Sequence, residues 1–220
     1  MKLVIINGSP RGKESNSEVI INWIMPQLDE NILVEKYYSS KTITHKAAVD
    51  AIEDNTTMLV VFPLYADAMP WVTKLFFEEL DSIAYKKNNI KIYFIVHSGF
   101  EGAKHCRVVE QYLAYFAEHL GFKYMGTAIK PGSEGFRLIP EEYIKEIKND
   151  FVELSSDITK GVSFNNIILK KLAGFEVLSE EYIERINQSN GETKYIFDIL
   201  KQNNVYDKSF DKPYQRKKRD

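Results

Sequence analysis

Five short apolar runs alternate along this chain with segments of helical periodicity, and this alternation limits the possible folds more than any other feature. Residues 2–6 (Lys2-Leu3-Val4-Ile5-Ile6) read as a strand. A helix is expected over 17–28, with Ile20, Trp23, Ile24 and Leu28 on one stripe and Pro26 kinking or ending it early. Residues 32–38 read as a second strand, followed by a weak helical stretch over 45–53. Residues 58–62 are apolar on both faces, which favours a central position in a parallel sheet. Pro70 stands at a helix start, where its missing N–H costs nothing, and Val72, Leu75, Phe76, Leu80 and Ile83 form the stripe.

Strands at 90–96 and 124–129 enclose a helix marked by Val109, Tyr112, Leu113, Phe116 and Leu120. Gly121 is placed to stop that helix, with Phe122 as the apolar residue behind it. Residues 140–160 are expected to be helical, with Tyr143, Ile144, Ile147, Phe151 and Leu154 facing inward. The pattern predicts an α/β fold, a doubly wound five-stranded parallel sheet with right-handed crossovers. A ligand of such a sheet sits beyond the C-terminal strand ends, where strand order reverses. The loops after the first, third and fourth strands lie there.

Beyond residue 160 the pattern changes. Short helices are expected at 165–173, 179–186 and 192–202. The expected organisation is a ligand-binding domain over 1–160, a helical extension over 161–206 packed on the domain or on a dimer partner, and a disordered basic tail over 207–220. The tail ends Arg216-Lys217-Lys218-Arg219-Asp220, a run that could touch nucleic acid or acidic lipid. Lys plus Arg is 29 against 31 for Asp plus Glu, so the balance elsewhere argues for neither partner and a solvated tail is the simpler reading. Cys106 is the only cysteine, which excludes an intrachain disulfide and any cysteine-ligated cluster or structural zinc. Only five apolar residues precede the first polar loop, too few for a signal-peptide core, and no run approaches the roughly 20 residues of a membrane span. A cytoplasmic location is expected, with no membrane partner.

The loop after the first strand reads Asn7-Gly8-Ser9-Pro10-Arg11-Gly12-Lys13-Glu14-Ser15-Asn16-Ser17. Small residues, hydroxyls and a guanidinium gather where a helix begins. Unpaired N–H groups and the positive end of the helix dipole favour an anion there. A Walker loop would end Gly-Lys-Ser/Thr, a dinucleotide fingerprint needs three spaced glycines, and a receiver domain wants acids at the end of the strand; none of these fits. Ser15 and Glu18 also have the spacing of a capping box, and Gly8 and Pro10 suit a plain turn.

Asn7-Gly8-Ser9-Pro10-Arg11 followed by Ser15-Asn16-Ser17 resembles the phosphate loop of the NAD(P)H-dependent FMN reductase family, which has the flavodoxin-like fold. Residues 62–71 (Phe62-Pro63-Leu64-Tyr65-Ala66-Asp67-Ala68-Met69-Pro70-Trp71) look like that family's flavin-ring loop, and His97-Ser98-Gly99-Phe100-Glu101-Gly102 like its third flavin loop. The resemblance covers roughly residues 1–130. It implies FMN as cofactor and NADH or NADPH as reductant. It places Ser9, Arg11, Ser15, Asn16 and Ser17 around the phosphate. Pro63, Leu64, Tyr65, Ala66, Asp67, Ser98, Gly99 and Phe100 are its candidates for the ring. It further implies an oxidoreductase passing electrons to a small-molecule acceptor (a quinone, nitro or azo compound, or flavin), with no catalytic side chain and no metal, and a homodimer. Asp67 could equally cap the following helix. His97 and His105 flank a loop, and a strand end and a first helical turn account for them without chemistry. An electron carrier like flavodoxin and a non-catalytic flavin-binding regulatory module are the alternatives on the same fold. The near-neutral charge and the Gly-Ser-Pro-Arg loop speak against the carrier.

Overall fold

The computed structural model describes residues 1–189, 197–198, 200–208 and 211. Two compact units divide the chain, Met1–Val177 and Leu178–Asp220.

In the first unit the expected alternation is realised as β1 (Lys2–Asn7), α1 (Asn16–Ile24), β2 (Leu33–Tyr38), α2 (His45–Asp50), β3 (Thr57–Pro63), α3 (Trp71–Ala84), β4 (Lys91–His97), α4 (Lys104–His119), β5 (Lys123–Lys130), α5 (Lys145–Lys160) and α6 (Asn166–Ala173). The strands pair in parallel in the order β2-β1-β3-β4-β5. Order reverses between β1 and β3, so a crevice opens beyond their C-terminal ends. β3 is buried along its whole length, as an apolar run on both faces requires.

Two layers of core follow from the two-residue period of the strands. Val4, Ile6, Met58, Val60, Phe62, Ile92, Phe94 and Val96 face α2, α3 and α4. Leu3, Ile5, Leu59, Val61, Tyr93 and Ile95 face α1, α5 and α6. α1 gives way to a 3-10 turn, Met25–Gln27, at Pro26. α4 ends in a Schellman motif: Gly121 has φ +72°, its N–H reaches Glu118 O at 2.9 Å, and the Phe122 N–H reaches Ala117 O at 2.9 Å.

Three expected inward residues point outward. Leu75 is 36% exposed, Tyr112 49% and Tyr143 75%. In α3 the buried face keeps the expected Val72, Phe76 and Leu80 and adds Thr73 and Phe77. The Thr73 hydroxyl donates to Gly8 O at 2.6 Å, a bond that requires this rotation of the helix. The domain boundary expected at 160 also moves. α6 buries Ile168, Leu172 and Ala173 in the core of the first unit, so that unit runs to Val177.

In the second unit α7 spans Glu180–Ser189, and the Tyr182 N–H donates to Ser179 Oγ at 3.1 Å. Phe197 meets Tyr206 edge-on at 5.4 Å. The expected helix over 192–202 and the tail over 207–220 lie largely outside the described residues. Among the described residues no helix is long and apolar enough to cross a membrane, and no group of His, Cys, Asp and Glu could hold a metal ion.

Candidate ligand-binding site

Beyond the C-terminal strand ends lies a cavity of about 150 Å³, lined by Ser9, Arg11, Ser15, Asn16, Pro63, Leu64, Tyr65, His97, Ser98, Gly99, Ser133 and Glu134. Its floor is the loop after β1, and Asn7 organises that loop. The Asn7 side chain is fully buried; the two hydrogens of its Nδ2 are shared among Gly12 O (3.1 Å), Ser15 Oγ (3.3 Å) and Glu18 Oε2 (2.9 Å), and its Oδ1 accepts from the Ser9 N–H at 3.0 Å. Gly8 fits tightly beneath: a Cβ there would lie 2.6 Å from Thr73 Oγ1 and 2.8 Å from Phe62 Cβ. Gly12 takes φ +54°, which turns the chain into the 3-10 segment Gly12–Glu14.

The Glu18 carboxylate braces this loop from below. It accepts from Lys36 Nζ at 2.6 Å, Tyr38 Oη at 2.9 Å and Asn7. Burial works to raise its pKa, but the hydrogen bonds from Lys36, Asn7 and Tyr38 prevail and hold it below the usual carboxylate range.

The hydroxyl and amide hydrogens of the loop are unevenly available. Ser15 Oγ caps α1: it donates to Gly12 O at 2.6 Å and accepts from the Glu18 N–H at 3.1 Å. Both side-chain N–H bonds of Asn16 are taken, by Ser133 O (2.8 Å) and Glu134 O (3.1 Å). Ser9 Oγ accepts from the Arg11 N–H at 3.3 Å and keeps its own hydrogen to give. Arg11 lines the cavity, and its guanidinium has no hydrogen bond or ion pair among the described residues. By helix geometry the backbone N–H groups of Asn16 and Ser17, in the first turn of α1, have no intrahelical acceptor. The cavity therefore offers a guanidinium, one hydroxyl and the positive end of a helix.

α4 offers nothing comparable. Its N-terminus is stopped by the chain after α6: Phe175 O accepts from the Ala103 N–H at 2.8 Å and Glu176 O from the Lys104 N–H at 3.1 Å. Arg107 forks onto the Glu176 carboxylate and bonds Glu110, which fixes this segment beside the loop after β4.

Of the residues singled out in the sequence, Ser9, Arg11, Ser15, Asn16, Pro63, Leu64, Tyr65, Ser98 and Gly99 meet around the cavity, and four do not. Ser17 is fully buried and bonded to His97. Ala66 and Asp67 form the tip of a two-residue turn closed by Tyr65 N–H to Ala68 O (2.9 Å) and Ala68 N–H to Tyr65 O (3.0 Å), with φ +48° and +58°. The first residue of α3 follows Pro70 with no side-chain cap, so Asp67 is not the cap of that helix. It lines a separate apolar groove of about 370 Å³ with Met69, Val108, Val109 and Tyr112. Phe100 is 64% exposed and stacks on His105 with ring centres 4.9 Å apart.

Three lining residues are not among the candidates named from the sequence. His97 is weighed in the sequence and set aside there as a strand end. Ser133 and Glu134 follow β5 in Pro131-Gly132-Ser133-Glu134-Gly135, a run of small and turn-forming residues next to β4 in the sheet, and that signal could have found them. Cys106 is buried, and burial pushes its thiol pKa up, which makes it a poor nucleophile.

No protein-family model matches the sequence, and no curated protein matches it. Solved structures share its fold. An NADPH-quinone reductase from P. pentosaceus superposes with a TM-score of 0.54 at 13% identity, over 74% of this chain and 100% of that one. An NADH:FMN oxidoreductase in its apo form gives 0.54 at 13% identity, over 82% and 97%. An FMN-dependent NADH-azoreductase from Bacillus anthracis, in complex with FMN, gives 0.50 at 16% identity, over 72% and 100%. The likeness and the strand order β2-β1-β3-β4-β5 establish that this chain has the flavodoxin-like fold.

Proposed function

We propose that this chain is an FMN-dependent oxidoreductase that passes electrons from NADH or NADPH to a small acceptor such as a quinone, a nitro or azo compound, or a flavin. One observation carries the reading. The unpaired Arg11 guanidinium, the Ser9 hydroxyl and the α1 N-terminus converge on one cavity, at the switch point of a flavodoxin-like sheet, beside an apolar wall.

The donors suit a phosphate monoester. Arg11 can bond two of its oxygens at once, and the Ser9 hydroxyl and first-turn N–H groups of α1 can serve a third. The enclosed volume of about 150 Å³ is below the roughly 300–1,000 Å³ of a complete cofactor site. It fits the anionic end of the molecule, leaving the ring against Pro63, Leu64 and the half-exposed Tyr65. Glu134 sharpens the choice: its carboxylate lies so close to Gly99 that a Cβ there would meet Oε2 at 3.2 Å. A carboxylate in this wall disfavours a bare anion and accepts from a ligand that carries hydroxyls or N–H groups beyond its phosphate.

Bound FMN would supply the two-electron chemistry. The protein's share is to hold the phosphate with Arg11 and Ser9, shield one side with Leu64 and Tyr65, and present Ser98 and Gly99 at the polar edge. A cytoplasmic homodimer belongs to the same reading. The groove lined by Val108, Tyr112 and Met69, with Trp71 exposed two residues after Met69, is an apolar surface available for a second copy.

Purified protein is expected to be yellow, or to take up FMN on reconstitution, and then to oxidise NADH or NADPH. A colourless protein that takes up no flavin contradicts the proposal. Flavin binding without reduction by either nicotinamide, followed by stopped flow, favours the electron carrier or regulatory module instead.

A further inference from the structure

His97, the last residue of β4, is 3% exposed and touches two other segments. Its Nε2 lies 2.8 Å from Ser17 Oγ in the first turn of α1, and its Nδ1 lies 2.9 Å from Ser133 Oγ in the turn after β5. One assignment of the hydrogens makes every contact along this row a hydrogen bond. Ser133 Oγ is also 3.0 Å from Ser98 O, a carbonyl that can only accept, and in this assignment the Ser133 hydroxyl donates there. Its oxygen then accepts from the ring, and Nδ1 carries the hydrogen. Nε2 of the neutral ring is bare and accepts from Ser17. Burial pushes the imidazole pKa down to about 3, in keeping with a neutral ring. The one hydrogen of the Ser17 hydroxyl is thus given to the imidazole.

The turn after β5 has other ties to the same place. Asn16 Nδ2 holds the carbonyls of Ser133 and Glu134, the Ser133 N–H donates to Ser98 O at 2.8 Å, and Arg137 meets Glu14 across the rim at 2.5 Å. The rim pair is exposed and contributes little. The imidazole joins α1, β4 and the turn through one rigid ring.

We propose that His97, as its Nδ1–H tautomer, is a positioning residue that clamps the turn carrying Ser133 and Glu134 to the start of α1, making that turn the fourth wall of the cavity and reserving the Ser17 hydroxyl from any ligand. Where it concerns flavin, this rests on the FMN reading above.

The test begins with ligand-free ¹⁵N-labelled protein. A long-range ¹H–¹⁵N spectrum shows His97 with Nδ1 protonated and Nε2 bare, unchanged between about pH 5 and pH 8. A ring protonated at Nε2, or one that titrates in this window, overturns the proposal. Amide exchange at Ser133 and its neighbours accelerates roughly tenfold or more in His97→Leu and in Ser133→Ala. The double variant is no faster than the worse single one. His97→Asn keeps a donor near the place of Nδ1 and restores protection; unchanged exchange in both single variants overturns the clamp. If His97→Leu does not fold, the spectrum and Ser133→Ala carry the test alone. With FMN as probe, Ser133→Ala binds about three- to tenfold more weakly. Equal FMN affinity in wild type and a loosened Ser133→Ala refutes the wall. A protein that takes up no FMN, yet shows this ring and this exchange pattern, refutes the FMN reading and leaves the clamp standing.

Discussion

The loops after β1 and β3 border the same cavity and are built in opposite ways. The first is wired from below. Asn7, Ser15 and Glu18 are buried, and nearly every polar atom they carry has a partner inside the loop or in β2. The second ends in an exposed turn, closed by two backbone bonds, that places Ala66 and Asp67 in the left-handed region. A buried network of satisfied bonds leaves one arrangement available, and the cost of ordering falls on folding. A strained, exposed turn stores energy that a small change can release. The loop after β1 is thus preformed by its own bonds, whereas the turn after β3 is held by two backbone bonds alone.

Asn7→Ala is the strongest way to break this contrast. It removes two donor hydrogens, shared among three acceptors, and one accepted bond, and takes one donor each from Gly12 O and the Glu18 carboxylate. A loss of about 3–4 kcal/mol in urea unfolding is expected. A loss below about 1 kcal/mol would mean that the loop is not held from below. Gly8→Ala comes next. Its Cβ would press on Thr73 and on Phe62, whose Cβ cannot swing away, so a loss of about 2–3 kcal/mol is expected in the same assay.

Glu18 adds a pH signature to the first loop. Its folded pKa is depressed, so its contribution to stability is complete above the unfolded value near pH 4.5 and fades as pH falls through the folded value. Wild-type stability should therefore drop below about pH 4.5 more steeply than that of Glu18→Gln. Equal slopes would remove the ion pair with Lys36 from the account. The smallest effect belongs to the other loop. Ala66→Gly frees a left-handed position and should change stability by no more than about 1 kcal/mol, toward greater stability. A clear loss in thermal unfolding would show that the turn is unstrained.

The sheet could be read from the chain because its signals are local. β3 is apolar on both faces, Pro26 ends α1, and Gly121 with Phe122 forms the stop expected of them. Errors of face arose where a distant atom decides the rotation. Leu75 turns outward because Thr73, two residues away, reaches Gly8 across the fold. The site divides in the same manner. Arg11 and Ser9 belong to one contiguous loop whose composition suggests an anion. Ser17 belongs to the same motif, but its hydroxyl is taken by His97, a partner eighty residues along the chain that no local pattern announces. Ser133 and Glu134 reach the cavity only because β5 lies beside β4, which is a fact of topology.

In the proposed function a preformed anion cradle, read by Arg11, holds the phosphate of FMN. Fluorescence titration of FMN with wild type and with Arg11→Ala tests it most directly, with riboflavin as the phosphate-free control. Saturable quenching by wild type is expected, with affinity at least about tenfold weaker in Arg11→Ala and an unchanged melting temperature, because the guanidinium has no partner among the described residues. Riboflavin is expected to bind the two proteins alike. Equal FMN affinity in both proteins, or no quenching by wild type, would contradict the proposed function.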